Sequence, residues 1–422
     1  MDTLLAYRYE LYDRFENISS TYSFWNLQKE LVKALLKCEE ELIKGNEAEK
    51  DEWLYHQARL YSISEAMVWS VLETFTIRQL GKFESGRTAL LPQKDTIMGI
   101  IEKFEPLANE KIFILADTTR CITTGDLIEV KATDQIHIYE CKTSTPMEIE
   151  EMVRGRVGRQ FSKNFWLQEY LERGYGTLYR ADLITRTIEV DVTGYQEHFS
   201  LLDQLIEECM RNKSGNSSVL AEPGLVYAAI KYEEDPKEVD PELITGLYDF
   251  KEPFWTGLSG LVEEPRESIF HMPPLAFPIS LKSKKLLMEV GVIILCYLDH
   301  EVLKDKFRIK GFEYTTSKEG FPQLSKGGDP IQFHPRFMNE IMLGFQPIEK
   351  VVNQMTALYD STLNGLTDEE QKYINERPSS LKDFVNYICE NYELTSEDDN
   401  SPGLISIGSK KLKQKTSIDL KD

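Results

Sequence analysis

Disulfides, zinc fingers and membrane spans all find little support in this sequence. Its six cysteines (Cys38, Cys121, Cys141, Cys209, Cys296 and Cys389) lie far apart, with no CxxC pair. That spacing excludes zinc-finger ligation and fits reduced thiols, so a cytoplasmic setting is expected. The six histidines are equally scattered. The longest apolar stretch, Leu286 to Leu298, is interrupted by Glu289 and is too short to cross a bilayer, so no membrane partner is expected. The opening MDTLLAYRYELYD carries acids and tyrosines where a secretory signal needs a basic start and an apolar run. No GxxxxGK[ST] phosphate loop is present, which excludes a nucleotide-driven motor of that kind. Positive charge is also scarce: 49 Lys and Arg face 70 Asp and Glu, a net charge of −21. A chain so acidic does not coat nucleic acid nonspecifically. The imbalance is uneven, however, because residues 111–180 hold ten basic and ten acidic residues.

What is present is an ordinary globular composition, 41% hydrophobic and 28% charged, over 422 residues. This length buries a large core and divides into two or three folded units. Ser23 reads as the cap of a helix with Phe24, Leu27, Leu31, Leu35, Cys38 and Leu42 on one stripe, ending at Gly45. Such a helix serves packing or dimerisation. A second helix is expected from Ser62, where Ser62-x-x-Glu65 resembles a capping box, through Leu80 to a stop at Gly81.

Beyond it the apolar period changes to two. Residues 111–117, 126–131 and 135–142 read as three strands, the last two joined at Ala132-Thr133-Asp134. A helix is expected from Glu148 to Arg173, then strands at Thr177–Ile184 and Thr187–Val192, a helix at Phe199–Arg211 and a strand at Leu225–Tyr232. The order through Ile184 is α-β-β-β-α-β. The acidic, proline-bearing run Glu233–Glu242 marks a boundary. Past it, helices are expected near Leu243–Phe250, Pro335–Leu343 and Ile348–Leu363, with a strand at Gly291–Leu298. The organisation expected is therefore an N-terminal helical region (1–57), a central α/β domain (58–232), a mixed α/β accessory domain (243–393) and a mostly disordered tail (394–422).

The central hairpin has a checkable register. If Lys131 faces Gln135 across a three-residue turn, paired positions sum to 266 and Asp126 falls opposite Glu140. Opposed side chains share a face, roughly 5 Å apart at Cβ. Alternation then puts Asp126, Ile128 and Val130 with Ile136, Ile138, Glu140 and Lys142, apolar near the turn and charged at the other end. Two neighbouring carboxylates repel, and a hard divalent cation removes the conflict. Lys142 beside them suits the positioning or deprotonation of a water attacking a phosphodiester.

Gly125-Asp126, thirteen intervening residues and Glu140-Cys141-Lys142, in an α-β-β-β-α-β order, resemble the PD-(D/E)XK nuclease superfamily. The resemblance covers roughly residues 60–185. It implies a restriction-endonuclease-like α/β fold, a mixed sheet with flanking helices, and hydrolysis of phosphodiester bonds, in DNA or RNA, with Mg²⁺ or Mn²⁺. Asp126 and Glu140 would be metal ligands, with the Cys141 carbonyl, and Lys142 the catalytic lysine. Members often add a glutamate from the first helix, for which Glu73 is chosen, Glu65 being read as the capping-box acid. Gly125 stands where a proline is usual. A role in restriction or phage defence, a separate ATPase or helicase subunit and a homo-oligomer are further implications.

The helix after the hairpin adds a polar face, Arg156, Arg159, Gln160, Lys163 and Asn164, opposite Val153, Val157, Phe161 and Phe165. Gln160 and Arg159 match residues that in the family point into the site, and Arg156, Arg159 and Lys163 are read as phosphate contacts. A solvated charged face is the plainer reading. The run Lys304, Lys306, Arg308, Lys310 reads equally as a duplex cradle or as alternating charge on an exposed strand. Two other readings of the core stand beside the main one. One is a rival motif, Asp117 with Glu129-Val130-Lys131. The other is a surface salt-bridge cluster of Asp126, Glu140 and Lys142. At the level of function the alternative is a nuclease-like fold kept as a catalytically inactive nucleic-acid-binding or scaffold module.

Overall fold

The computed structural model describes residues 3–45, 48–81, 89–133, 135–139, 141–142, 156–180, 183–188, 190, 193–232, 246–258, 269–378, 380, 383–384, 386–387, 392–394, 405–406 and 412–414. Its helices, in chain order, are α1 (Thr3–Glu16), α2 (Thr21–Lys44), α3 (Lys50–Val71), α4 (Thr74–Leu80), α5 (Lys94–Phe104) and α6 (Arg156–Arg173). They continue with α7 (Phe199–Arg211), α8 (Leu281–Met288), α9 (His300–Ile309), α10 (Arg336–Met342), α11 (Ile348–Leu363) and α12 (Asp368–Glu376). The strands that matter below are β1 (Ile112–Leu115), β2 (Leu127–Val130), β3 (Ile136–Tyr139), β4 (Cys141–Lys142), β5 (Tyr175–Arg180) and β6 (Leu183–Arg186). After them come β7 (Asn216–Glu222), β8 (Leu225–Lys231), β9 (Pro253–Leu258) and β10 (Val292–Asp299). The chain is thus mixed α/β, and every strand pair among the described residues is antiparallel, so these strands do not build the mixed sheet expected. No helix among them is long and apolar enough to cross a membrane.

The chain divides into two compact units, each discontinuous in sequence. One holds Met1–Glu16 with Ile188–Gly365, the other Asn17–Thr187 with Leu366–Asp422. This differs from the linear order of domains expected from composition. Long-range pairs explain it: α1 is tied to Glu289 by Arg8, and Glu370 at the start of α12 is tied to Arg186 on β6.

In the unit of residues 17–187 and 366–422, β1, β2 and β3 form an antiparallel meander in that order. The hairpin register is the one the sequence predicts, with Leu127↔Tyr139, Ile128↔Ile138, Glu129↔His137 and Val130↔Ile136. The turn closes through Lys131 N–H to Gln135 O at 2.8 Å. α2 lies against β1, where buried Gln28 donates to Phe113 O at 2.6 Å and accepts from Leu115 N–H at 2.8 Å. One amide thus satisfies two of the backbone groups that a further strand would have bonded.

Two helix starts differ from expectation. Ser20, not Ser23, caps α2, and Ser23 is its partner three residues on, closing a capping box. Gly45 ends the helix at φ 75° as its position suggests. The second helix begins at Lys50, twelve residues before Ser62, and its N-cap Glu49 makes no side-chain bond. Ser62 sits mid-helix with its hydroxyl donated back to Ala58 O, and Glu65 faces inward instead of capping. The helix breaks at Leu72–Glu73 and resumes as α4.

α6 is followed by the hairpin β5–β6, which replaces the two strands expected at 177–184 and 187–192. Every residue of α6 from Asn164 to Tyr170 is buried, because the helix packs on β3 on one side and meets Tyr373, Phe384 and Tyr387 on another. Residues 392–394, 405–406 and 412–414 of the expected tail form short antiparallel pairs, the middle one with β4. The remainder of 395–422 lies outside the described residues.

The unit of residues 1–16 and 188–365 is built on the antiparallel sheet β7-β8-β10-β9. Alternation sends Tyr227, Ala229, Ile294, Cys296 and Leu298 into one core with Phe199, Leu303, Phe307, Val351 and Met355. The helices α7, α10 and α11 fall where the sequence puts them. Residues 246–250 are turn and loop, not helix. The carboxylate of buried Asp299 takes the amides of Lys251 and Glu252 at 2.9 and 3.0 Å and so turns the chain into β9. The basic run at 304–310 lies on and just past α9, not on a strand, and each member has an acidic partner. Lys304 meets Glu252 and Glu301, Lys306 and Lys310 meet Glu349, and Arg308 meets Asp305. A run so neutralised is a poor cradle for a duplex.

Candidate active site

Asp126 ends the loop between β1 and β2, which is fastened along its whole length. Its two ends are joined by Ala116 N–H to Asp126 O at 3.1 Å, and Asp126 N–H reaches across to Tyr139 O at 2.8 Å. Four threonine hydroxyls donate to backbone carbonyls: Thr118 to Leu115, Thr119 to Ala116, and Thr123 and Thr124 both to Leu80 at the end of α4. Thr123 N–H takes the same carbonyl. Polar β-branched residues are costly inside a protein unless paired, and here each hydroxyl spends its proton on the loop's own frame.

Gly125 fits the turn into β2 for a geometric reason. Its φ is 76°, and a Cβ there would stand 2.5 Å from Ile138 Cγ2 and 3.1 Å from Tyr139 O. A proline in its place would be locked near φ −65° and could not adopt this conformation.

At the middle of the loop Arg120 makes a two-pronged ion pair with Glu65 of α3, Nε to Oε1 at 2.7 Å and Nη2 to Oε2 at 2.8 Å. Both side chains are almost wholly buried, 6% and 1% exposed. Burial disfavours the Arg120 charge, but the Glu65 carboxylate more than offsets it and holds the guanidinium above its ordinary range. Sequence reasoning missed this pair, because Glu65 matched a capping pattern. The cluster TTRCITTGD (Thr118–Asp126) was the available signal: threonines and one arginine in an otherwise apolar stretch.

The remaining members of the expected constellation are placed unevenly. Glu140 lies outside the described residues. Cys141 and Lys142 are described as backbone, where they pair with Ser406 and Ile405, and their side chains lie outside the description. The same holds for the side chains of Arg156, Arg159 and Gln160 on α6. Lys163 is exposed, whereas Asn164, expected on the same polar face, is buried. Two turns beyond Gln160, Gln168 Nε2 sits 3.4 Å from His137 Nδ1 on β3.

Glu73 is not brought to Asp126. It caps α4 in extended conformation at the hairpin turn, where its carboxylate accepts from Thr133 Oγ1 at 3.0 Å and its N–H bonds Thr133 O. Thr133 and Asp126 are separated by a whole strand, on the order of 20 Å at roughly 3.3 Å per residue. The rival motif is also dispersed. Glu129 is buried in an ion pair with Lys111 at 2.9 Å and accepts from Tyr139 Oη at 2.5 Å. Lys131 is exposed at the turn. Asp117 lies past the other end of β1, beyond the Leu115↔Leu127 rung.

Among the described residues no three His, Cys, Asp or Glu side chains come together as a metal site. Of the expected carboxylate ligands, Asp126 alone is among them. No family model, curated protein or solved structure matches the chain.

Proposed function

We propose that the chain is a Mg²⁺- or Mn²⁺-dependent nuclease in which Asp126 and Glu140 are the acidic ligands and Lys142 orients the attacking water. The observation that carries this reading is the β2–β3 register. Its last described rung, Leu127↔Tyr139, belongs to the alignment from which the motif is read; next to it Asp126 N–H bonds Tyr139 O, one residue off that alignment, which holds Asp126 at the end of β3. The fastened loop adds support, since catalytic geometry demands a carboxylate held by a rigid frame. In this reading Asp126 and Glu140 would hold the ion, which would supply Lewis acidity there. The Lys142 ammonium would align the attacking water and compensate the charge that builds on the phosphoryl oxygens. DNA is the first substrate to try, because the matched motif is shared with restriction enzymes.

The test is cleavage of plasmid DNA, and of labelled RNA, with Mg²⁺ or Mn²⁺ by wild type, Glu140→Ala and Lys142→Ala. Metal-dependent cleavage lost in both variants supports the reading. Equal cleavage by all three, or none by wild type on either substrate, overturns it. Binding without cleavage by wild type would favour a nuclease-like scaffold, a reading to which the remote placement of Glu73 already lends some weight.

A further inference from the structure

We propose that Glu65 and Arg120 are positioning residues for Asp126, an inference that rests on the nuclease reading of that aspartate. The two ends of the loop are tied by Ala116 N–H to Asp126 O, so Asp126 inherits whatever conformation residues 117–125 adopt. On one flank the loop is pinned to Leu80 O by Thr123 and Thr124. At its centre the loop is anchored to α3 by the Arg120–Glu65 fork, reinforced by Arg120 N–H to Glu65 Oε1 at 3.3 Å and with the guanidinium 6.0 Å from the Tyr61 ring centroid.

The fork fixes both distance and plane, because a guanidinium and a carboxylate meet edge to edge through two parallel bonds. A lysine keeps the charge and forfeits the plane. The anchor on α3 is equally firm, since that helix is buried on almost every side from Arg59 to Trp69. With α3 rigid, the fork and the Thr123 and Thr124 bonds to Leu80 together set the path of the loop into Asp126, so loosening the fork leaves that path held from one flank only. Neither Glu65 nor Arg120 is given any contact with substrate; their action is through the loop.

The experiment compares Arg120→Lys and Glu65→Gln with wild type in three measurements. Circular dichroism and thermal melting establish that the variants fold. Hydrogen exchange reports amide protection of residues 116–126 against that of β1, β2 and β3. Steady-state cleavage gives kcat, KM and the Mn²⁺ concentration for half-maximal rate. The expected result is faster exchange confined to 116–126, a kcat lowered by about 10²-fold at little-changed KM, as a misplacement near 1 Å produces, and a higher Mn²⁺ requirement. Arg120→Lys should be the milder variant. Unchanged exchange in the loop of folded variants overturns the positioning role whatever the cleavage assay shows. Unchanged kcat and Mn²⁺ requirement, in the presence of loosened exchange, overturns it as well. Absence of cleavage by wild type removes the underlying nuclease reading and with it the role, a result distinguishable from the other two by the wild-type control. If only the melting temperature falls, the pair is merely structural and the proposal fails.

Discussion

Arg8 and Glu289 are joined by two parallel hydrogen bonds of 2.9 Å each, although 281 residues separate them in sequence. Tyr12 Oη donates to the same carboxylate at 2.7 Å. Further along α1, Asp13 and Glu16 meet Lys285 and Lys284 of α8. The helix therefore docks through a run of matched charges around the buried side chains Leu11, Tyr12 and Phe15.

Breaking the best buried of these pairs should cost most. Glu289→Gln leaves the Arg8 guanidinium, 5% exposed, facing a neutral group. A loss of about 3 kcal/mol is expected in urea unfolding of the variant. The double variant Arg8→Met, Glu289→Met should recover much of it, because two apolar groups incur no desolvation penalty there.

Gly125→Ala should destabilise by about 3 kcal/mol, the sum of a left-handed backbone and an overpacked Cβ. Gly125→Pro should be worse, since its ring excludes the observed φ. Melting temperatures of the two variants against wild type check the order. A Gly125→Ala protein as stable as wild type would show that the turn relaxes freely.

Four thiols should resist modification in the native state. Cys38, Cys121, Cys209 and Cys296 are free and buried. Burial pushes the Cys38 thiol up to about 12 and raises those of Cys121, Cys209 and Cys296 as well. With six cysteines in the chain, 6 − 4 = 2 remain, so a thiol reagent at pH 8 should titrate at most two quickly. Unfolding in denaturant should release the rest.

Acid should loosen the contact between β6 and α12. Burial alone would raise the Glu370 carboxyl, but Arg186 and the amide and hydroxyl of Thr367 overcome it and hold it below the ordinary glutamate value. A carboxyl depressed in the folded state stabilises above its unfolded pKa, and that contribution fades as pH falls through the folded value. Asp203, held low by Ser280 and Ser283 against its own burial, acts in the same direction in the other unit. Stability measured from pH 7 downward should thus decline below the ordinary carboxylate range, and Glu370→Gln should flatten the decline. An unchanged acid slope in that variant would contradict the account.

The hairpin was legible because its evidence is local. Period-two alternation in DLIEV and QIHIY and a short polar turn fix one register, and Leu127↔Tyr139 is the pair they demand. The start of α3 was not, because Ser62, Ser64 and Glu65 read as polar punctuation. Inside the fold, the two hydroxyls bond carbonyls one turn back and Glu65 finds Arg120, 55 residues on. The placement of Glu73 was misjudged for a related reason: the break at Leu72–Glu73 turns α4 away from α3, and no residue there is a glycine or proline to announce it. The return of α12 to Arg186 was invisible, since an ion pair spanning 184 residues leaves no periodic trace. For the site, Gly125-Asp126 was readable as a motif, whereas the threonine and arginine fastening that holds it depends on Leu80 and Glu65, both remote in sequence.

Gln28 has a consequence beyond the stability of its own helix. By engaging Leu115 N–H and Phe113 O, it takes two of the groups that an incoming strand would need and covers that stretch of β1 with α2. A chain as rich in short antiparallel ladders as this one would otherwise present a template on which a neighbouring molecule could polymerise. One side chain in the middle of α2 thus blocks strand addition at that point, and a leucine in its place would keep the helix while leaving both backbone groups without this partner.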